Sequence, residues 1–253
     1  MTDFTGKKVL VTGASRGIGA AIASGFAERG ASVSIVYKSN TVAAELVRSM
    51  LQGSGHVCVQ ADLSSSDGAG TAVSRSIELL GGLDIVVNNA GIYKSHVIAD
   101  IDFGDWQEAW RTVIDTNLIG PANVCYVAAQ YMMKQGGGKI VNVSSRGAFR
   151  GEPDGPAYGA SKAGLNSMSQ SLAVALAPYG IFVGVVAPGF VDTDMAAESL
   201  EGESGDAIRA QSPLGRVGRP EEIANAVLFL ASEGIDFATG AIIDVNGASY
   251  LRS

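Results

Sequence analysis

Lys7–Gly19 reads KKVLVTGASRGIG, and this stretch decides the fold of the chain. Its first half, Lys7–Thr12, is a short apolar run typical of a buried strand. Its second half, Gly13–Gly19, is a glycine-rich turn that leads into an alanine-rich helical segment ending near Arg29. Glycines let a backbone approach phosphates closely, and the N–H groups at a helix start attract negative charge. The order strand, turn and helix therefore predicts a dinucleotide pyrophosphate site.

The spacing of the turn is G-x-x-x-G-x-G rather than the usual G-x-G-x-x-G, so tight packing is the alternative. The second predicted strand, Ser32–Tyr37, is followed by Lys38 and lacks the carboxylate that takes the ribose hydroxyls of NAD. Arg16 and Lys38 would instead neutralise a 2′-phosphate, although a lone Lys there is also common as a solvated loop charge. The missing carboxylate and the two cations favour NADP(H) over NAD(H).

Apolar runs and helical periods alternate along the rest of the chain. Further strands are predicted at His56–Gln60, Leu83–Val87, Lys139–Val143, Ile181–Ala187 and Ala241–Val245, and helices at Asp67–Leu80, Phe103–Lys134 and Ala157–Tyr179. Pro121 predicts a kink or break in the second helix. This alternation predicts a doubly wound α/β sheet with mainly parallel strands. No linker or repeat divides the 253 residues, so we expect a single domain over 1–253.

Composition excludes several classes of function. A net charge of −7 argues against nucleic acid or an anionic membrane surface as a partner. Cys58 and Cys125 each lie in an apolar run, and no histidine lies near a cysteine pair, so we expect no disulfide and no metal site. The N-terminus lacks a signal peptide and no apolar run reaches the length of a membrane span, which predicts a cytoplasmic protein.

Tyr158-Gly159-Ala160-Ser161-Lys162 is the candidate for acid–base chemistry. The Tyr and the Lys lie four residues apart, so on a helix they share one face. An ammonium at about 4 Å favours a phenolate by on the order of 4 kcal/mol at an effective dielectric constant near 20, which lowers the phenol pKa toward neutrality. The alternative is an ordinary packed ring beside an amine that reaches solvent.

Five motifs in this order resemble the short-chain dehydrogenase/reductase family over nearly all of the chain. They are TGASRGIG at Thr12–Gly19, NNAG at Asn88–Gly91, a serine (Ser145) thirteen residues before the tyrosine, YxxxK at Tyr158–Lys162, and PG at Pro188-Gly189. The chain is most similar to bacterial reductases of the 3-oxoacyl-(acyl-carrier-protein) type. The resemblance implies a single-domain, Rossmann-type doubly wound sheet of seven mainly parallel strands flanked by helices.

The resemblance also implies four catalytic residues. Tyr158 would give a proton to the carbonyl, and Lys162 would lower the pKa of Tyr158 and hold the nicotinamide ribose. Ser145 would polarise the carbonyl oxygen, and Asn117 would hold a water that relays protons to Lys162. Hydride transfer leaves negative charge on that oxygen, where preorganised donors stabilise it most. Ser144 is predicted to be structural.

A set of coenzyme-binding residues follows from the same resemblance. It comprises Gly13, Ser15, Arg16, Gly17, Ile18 and Gly19 around the pyrophosphate, Lys38 near the 2′-phosphate, Asp62 and Leu63 at the adenine, Asn89, Ala90 and Gly91 near the adenosine ribose, Tyr158 and Lys162, and Pro188, Gly189, Val191 and Thr193, of which Thr193 meets the carboxamide. No metal is implied.

The substrate is less determined by the sequence. The family places a variable substrate lid at about residues 191–212. The acidic residues of this segment fit a solvated helix better than a substrate contact. Arg146 and Arg150 follow Ser145; they meet either an anionic substrate group or, the preferred interpretation, Glu152 or Asp154 in an ion pair. Basic residues that would attract an acidic acyl carrier protein are few, which weakens the case for that partner.

The sequence therefore predicts an NADP(H)-dependent oxidoreductase that reduces a ketone to a secondary alcohol, or the reverse, with a 3-oxoacyl thioester as one candidate. Alternatives are a dehydrogenase of a sugar, polyol or cyclic alcohol, and a catalytically silent coenzyme-binding regulator; an epimerase or dehydratase is not excluded by the fold. The family resemblance also implies a homotetramer built from the long helices and the C-terminal strand.

Overall fold

A computed structural model describes residues 3–252 of the chain. Its centre is a seven-stranded sheet in the order β3-β2-β1-β4-β5-β6-β7. The strands are β1 (Lys8–Thr12), β2 (Ser32–Tyr37), β3 (Val57–Gln60), β4 (Ile85–Asn88), β5 (Gly138–Val143), β6 (Ile181–Pro188) and β7 (Ile242–Val245). All six strand pairings are parallel. The predicted doubly wound α/β sheet is confirmed, and each predicted strand is present within two residues of its expected ends.

Helices connect the strands and cover both faces of the sheet. They are α1 (Gly17–Ala27), α2 (Thr41–Met50), α3 (Ser66–Leu80), α4 (Phe103–Ile114), α5 (Gly120–Gln135), α6 (Pro156–Leu176), α7 (Gly202–Ala210) and α8 (Pro220–Ala231). The periodicity did not single out α2 or α8. Pro220 at the start of α8, followed by two glutamates in its first turn, is a helix-start signal that could have located it. None of the helices within residues 3–252 is both long and apolar enough to cross a bilayer.

Pro121 does not break the helical run, so of the predicted kink or break the break is wrong. It lies in the first turn of α5, directly after a π-helical turn at Asp115–Ile119 that joins α4 to α5. Proline lacks an N–H, so it cannot donate the usual helical bond to the carbonyl four residues earlier, which here belongs to Asn117. The wider turn absorbs this misfit, as single π turns inside helices commonly do, frequently at functional sites.

Two apolar layers hold the sheet between its helices. On one face, Phe26 and Ile22 of α1 pack with Ile35 of β2 and with α8. On the other face, Met132 of α5 packs with Ile140 of β5 and with α3 and α6. Each large side chain buried in this way contributes about 1.5–3 kcal/mol relative to exposure. Both faces of every central strand are covered, which explains their near-continuous apolar sequences.

The strand order places a crevice at one edge of the sheet. From β1 the chain proceeds outward through β2 and β3, and then returns to add β4 on the other side of β1. At such a reversal the connections after two adjacent strands leave in opposite directions, and ligands bind in the gap between them. Here the gap lies between the Gly13–Gly19 turn after β1 and the Asn89–Gly91 segment after β4.

A buried polar chain fastens the sheet to α6. Asn88 at the end of β4 donates from Nδ2 to Asn142 Oδ1 over 2.9 Å. Asn142 in turn donates to Ser169 Oγ over 2.8 Å, and Ser169 donates to the Leu165 carbonyl over 2.6 Å. The chain crosses from β4 through β5 to α6, and therefore fixes the helix against two strands.

Ser169→Ala is expected to lower the free energy of unfolding by about 1–3 kcal/mol, because it leaves the buried Asn142 amide without an acceptor. Urea denaturation measures the change. The matched control is Ser171→Ala, two residues along the same helix: its hydroxyl also donates to the carbonyl four residues earlier, over 2.9 Å, but is exposed. That variant should change stability by no more than about 0.5 kcal/mol. Equal effects at the two serines would contradict the role of the polar chain.

Candidate active site

The glycine turn after β1 has no room for side chains. A Cβ at Gly13 would lie 2.9 Å from Ala90 Cα, and one at Gly17 would lie 3.2 Å from Thr193 Cγ2. A Cβ at Gly19 would lie 2.6 Å from Asn89 Nδ2. Gly13 and Gly17 also have φ values of +63° and +53°, which favour glycine. The turn is thus a bare backbone cradle at the start of α1, which fits a pyrophosphate.

Thr12 and Asn89 fasten this cradle to the end of β4. The Thr12 hydroxyl oxygen accepts hydrogen bonds from the backbone N–H groups of Asn89 and Ala90, each over 3.0 Å. The Asn89 side chain donates to the carbonyls of Thr12 and Gly13 over 3.0 and 3.3 Å. Sequence reasoning assigned Asn89 to the coenzyme and gave Thr12 no role. The position of Thr12 at the last residue of a buried strand was the available signal.

The two cations predicted to select NADP(H) both lie at this edge of the sheet. Lys38 Nζ is 2.9 Å from Asp62 Oδ2, and this bond lowers the pKa of the Asp62 carboxyl. Arg16 Nη1 is 3.7 Å from Asp194 Oδ2 at the start of the predicted lid. All four side chains are well exposed, and pairs of this kind contribute at most about 1 kcal/mol. Such weak pairs leave both cations available to a phosphate.

Lys162 is buried, and its amine is directed at the sheet. Nζ donates to the Val143 carbonyl at the end of β5 over 2.9 Å and lies 5.9 Å from the centroid of the Tyr158 ring. Burial lowers the pKa of Lys162 to about 8, because the charged form loses water. The predicted neighbourhood of amine and ring is present. Within the described residues, however, the amine does not bond to the phenol oxygen.

Tyr158 corrects the simple electrostatic expectation from the sequence. Burial raises its pKa above the ordinary value, the Ser145 side chain opposes that rise, and the charge of Glu152 adds to it. Desolvation of the phenolate therefore outweighs the opposing hydrogen bond from Ser145, and the lowering expected from the Lys162 ammonium does not appear. The phenol is held protonated, in the form that donates a proton. Its ring packs edge-on against Tyr93 at a centroid distance of 5.3 Å.

Asn117 lies in the π-helical turn, fully buried. Its side-chain oxygen accepts from the Ile92 N–H and its amide donates to the Ile92 carbonyl, both over 2.9 Å. The same amide also donates to Ser161 Oγ over 3.2 Å. A Cβ at Gly91 would lie 3.3 Å from Lys162 Nζ and 3.5 Å from Asn117 Oδ1. Asn117 and Lys162 therefore converge on Gly91.

Ser161 is a residue that sequence reasoning missed. Its hydroxyl donates to the Tyr158 carbonyl over 2.7 Å while accepting from Asn117. It thereby joins the π-helical turn to the first turns of α6, where Tyr158 lies. Its place inside the YGASK stretch, on a helix and next to Lys162, was the only signal in the sequence.

The two serines after β5 have different surroundings, as predicted. Ser145 is partly exposed, and its Oγ accepts from the Gly147 N–H over 3.0 Å, which leaves the hydroxyl hydrogen free to donate. Ser144 is buried and donates to the Lys162 carbonyl over 3.3 Å. Ser145 is therefore the serine on the side of the Tyr158 phenol, and Ser144 bonds to the backbone of α6.

The remaining predicted coenzyme residues border the same edge of the sheet, with different degrees of access. Thr193 lies against Gly17, and Gly189 lies against Asn246, where a Cβ would come within 3.0 Å of its Cα. Pro188 is the last residue of β6. The others are partly exposed (Ser15, Ile18) or buried in an apolar layer (Leu63), or form a short parallel bridge to Gly218 (Val191).

Arg146 and Arg150 do not form the expected ion pairs. Within residues 3–252 neither guanidinium lies within bonding distance of Glu152 or Asp154. Instead both donate to Gln211 Oε1, over 2.8 and 2.9 Å, and Arg146 also donates to Ser249 Oγ. The acceptors come from segments far along the chain, so proximity in sequence was misleading. A cavity of about 670 Å³ beside Arg146 has none of Asn117, Ser145, Tyr158 or Lys162 in its wall.

The arrangement is suited to proton transfer beside a bound dinucleotide. A buried amine, a protonated phenol and a free serine hydroxyl lie at the ends of β4 and β5, next to the bare cradle. Preorganised donors of this kind stabilise an oxygen on which negative charge develops. No group of three or more His, Cys, Asp or Glu side chains that could hold a metal ion occurs in the described part of the chain.

Comparison with known proteins finds relatives along nearly the whole chain. The family model described as enoyl-(acyl carrier protein) reductase matches residues 13–248. The 3-oxoacyl-(acyl-carrier-protein) reductase FabG of Aquifex aeolicus (strain VF5) is 40% identical over 247 residues, 97% of this chain and 98% of that protein. The FabG of Staphylococcus aureus (strain MW2) is 38% identical over the same shares.

Solved structures agree with these relatives. A crystal structure of a short chain dehydrogenase from Burkholderia cenocepacia J2315, in complex with NADP, has a TM-score of 0.86 at 33% identity and covers 97% of this chain and 98% of that one. The similarity thus includes both the sheet and the segments after its strands. The chain belongs to the short-chain dehydrogenase/reductase family.

Proposed function

We propose that the protein is an NADPH-dependent reductase that converts a ketone to a secondary alcohol, with 3-oxoacyl thioesters as substrates. The observation that carries the proposal is the convergence of Lys162, Tyr158 and Ser145 beside a glycine cradle that admits no side chain. The relatives named as 3-oxoacyl-(acyl-carrier-protein) reductases, matched along nearly their full lengths, support the substrate class. The family model's description names an enoyl reductase, which makes an enoyl thioester the natural comparison.

In this proposal each residue has a distinct task. NADPH supplies the hydride when it is bound. Tyr158, kept protonated by burial, gives its proton to the carbonyl oxygen, and the Ser145 hydroxyl donates a hydrogen bond to that oxygen. Lys162 holds a positive charge beside the phenol and stabilises the phenolate that remains. Asn117 holds the segment at Ile92 and, with Lys162, borders the path for the returning proton.

The coenzyme preference follows from the charges at the adenosine end. Arg16 and Lys38 supply two cations where NAD-specific relatives of this fold carry a carboxylate at the end of the second strand. The NADP complex of the Burkholderia relative supports this choice. Asp62 lies 2.9 Å from Lys38 and in this proposal turns to the adenine once Lys38 binds phosphate.

Three further assignments belong to the proposal. Residues of about 191–212 form a lid over the substrate. The protein is a cytoplasmic homotetramer assembled through helices α4, α5 and α6 and through strand β7. A molecular mass equal to that of one chain, measured by analytical ultracentrifugation, would contradict the tetramer. The third is that the acyl group is carried by coenzyme A, because the acidic chain offers little electrostatic steering for an acidic acyl carrier protein.

The wild-type protein should oxidise NADPH in the presence of a 3-oxoacyl thioester and leave the matching enoyl thioester unreduced. Tyr158→Phe should lower kcat by about 10²–10⁴-fold, the usual size of a general acid's contribution. Nicotinamide absorbance measures the rate. Tyr93→Phe is the control, since its ring packs against Tyr158 without being a proposed donor. NADPH binding without turnover of any ketone, sugar or cyclic alcohol would favour a silent regulator.

The rate of reduction should fall as the pH rises through about 8, where the buried Lys162 loses its proton. The rate falls because Lys162 loses its charge, since Tyr158, whose pKa is raised, is still protonated at about pH 8. The measurement is the pH profile of kcat/KM for NADPH, which reports the free enzyme. Lys38→Ala is the control: it removes an exposed amine, and its pH profile should show the same fall through about pH 8. A profile that stays flat up to about pH 10.4, the pKa of a free lysine, contradicts the assignment.

Arg16→Ala and Lys38→Ala should each raise KM for NADPH by about tenfold and leave KM for NADH nearly unchanged. A hydrogen bond between a charged side chain and a phosphate is worth about 1.5–3 kcal/mol, and tenfold corresponds to about 1.4. Lys7→Ala is the matched control, because that exposed lysine pairs with Glu233 and precedes β1, at the opposite edge of the sheet. An equal rise in KM for NADPH and for NADH would contradict a contact between these cations and the 2′-phosphate.

A further inference from the structure

Arg146 carries a buried guanidinium that the proposed chemistry does not use. The residue is only 5% exposed, and burial lowers its pKa because the charge loses water. Nη1 donates to Gln211 Oε1 over 2.8 Å and to Ser249 Oγ over 2.9 Å, and the guanidinium carbon lies 5.1 Å from the centroid of the Phe190 ring. A buried cation without such partners would be strongly destabilising.

These partners come from three separate segments. Arg146 directly follows Ser145 and opens the short helix Arg146–Ala148, whose Gly147 N–H bonds to the Ser145 hydroxyl. Gln211 directly follows α7, at the end of the lid, and Ser249 lies in the tail after β7. One side chain therefore joins the loop that carries Ser145 to residues 65 and 103 positions further along the chain.

The tail adopts a costly backbone to reach this junction. Ala248 has φ +58° and is the non-glycine residue with positive φ in the described chain, a conformation that L side chains rarely adopt. Side chains on both sides hold it there: Ser212 Oγ donates to the Gly247 carbonyl over 2.6 Å, and the Tyr250 hydroxyl donates to the Phe149 carbonyl over 3.3 Å. Such strain persists only where its surroundings fix it, and it concentrates at functional sites.

We propose that Arg146 is a positioning residue that fastens the end of the lid and the C-terminal tail onto the Ser145 loop. The tail is then part of the active-site architecture, although it contributes no group to the reaction. This inference rests on the proposed function for the role of Ser145 and the lid. It assigns Arg146 to Gln211 and Ser249 rather than to an anionic group on the substrate.

Arg146→Met should raise KM for the ketone by about tenfold, the factor expected for losing hydrogen bonds to a charged group, with a smaller change in kcat. Both bonds come from one nitrogen, Nη1, so the amine of Arg146→Lys can supply donors to the two acceptors, but it loses the stacking of the guanidinium on Phe190; this variant should restore part of the loss. Arg150→Met is the matched control: Arg150 bonds to the same Gln211 oxygen but is exposed and makes no bond to the tail. Its KM should remain close to that of the wild type.

A second measurement needs no turnover. Limited proteolysis of the protein without coenzyme should cleave α7 and its flanks several-fold faster in Arg146→Met than in the wild type, and should cleave the tail after β7 several-fold faster in both Arg146→Met and Ser249→Ala. The double variant should be no faster than Arg146→Met alone, because Arg146→Met already removes the bond that Ser249 accepts. Cleavage rates at the wild-type level in both single variants would overturn the proposal.

The substrate series separates the proposal from its alternative. If Arg146→Met raised KM only for carboxylated ketones and left KM for neutral ketones unchanged, the guanidinium would bind the substrate and would not be a positioning residue. A wild-type protein that reduces none of the ketones would contradict the proposed function, while the proteolysis result would still decide the role of Arg146. Ala248→Gly, which relieves the backbone without touching Arg146, should keep the wild-type cleavage rate.

Discussion

The reversal of strand order between β1 and β4 is the constraint on which the rest of the structure depends. It opens a gap at the sheet edge, and the gap is kept narrow by backbone contact: Gly13 lies so close to Ala90 that no Cβ fits between them. Thr12 and Asn89 lock the two sides together through hydrogen bonds. The glycines of the turn are therefore required by packing as much as by any bound phosphate.

The candidate catalytic residues inherit their properties from burial. Lys162 and Tyr158 lie four residues apart on α6, yet the polar chain through Asn142 and Ser169 and the bond to Val143 determine how deeply they sit. Burial works against both charged forms, lowering the pKa of the amine and raising that of the phenol. The phenol therefore stays protonated near neutral pH, and the amine, with a pKa of about 8, still keeps its proton there, which suits donation of a proton to a carbonyl oxygen.

Segments outside the central sheet complete the site. The π-helical turn, which lies directly before the first turn of α5 with Pro121, places Asn117 against Ile92 and Ser161. Gln211, directly after α7, and Ser249 in the C-terminal tail both bond to Arg146 beside Ser145, and Ala248 has an unfavourable backbone conformation there. In both places a local irregularity is held by side chains from distant parts of the chain, as expected where position matters more than stability.

Periodicity and motif order predicted the strands, their parallel sheet, the cradle at Gly13–Gly19 and the family, because apolar runs, helical periods and motif residues can each be read from short stretches of sequence. The choice of Ser145 over Ser144 came from the family resemblance, through the spacing of the serine from Tyr158. Tertiary structure decided the rest. The pKa of Tyr158 depends on how much water the fold removes, which no four-residue spacing reveals. The partners of Arg146 lie 65 and 103 residues away, and only the folded chain brings them to it.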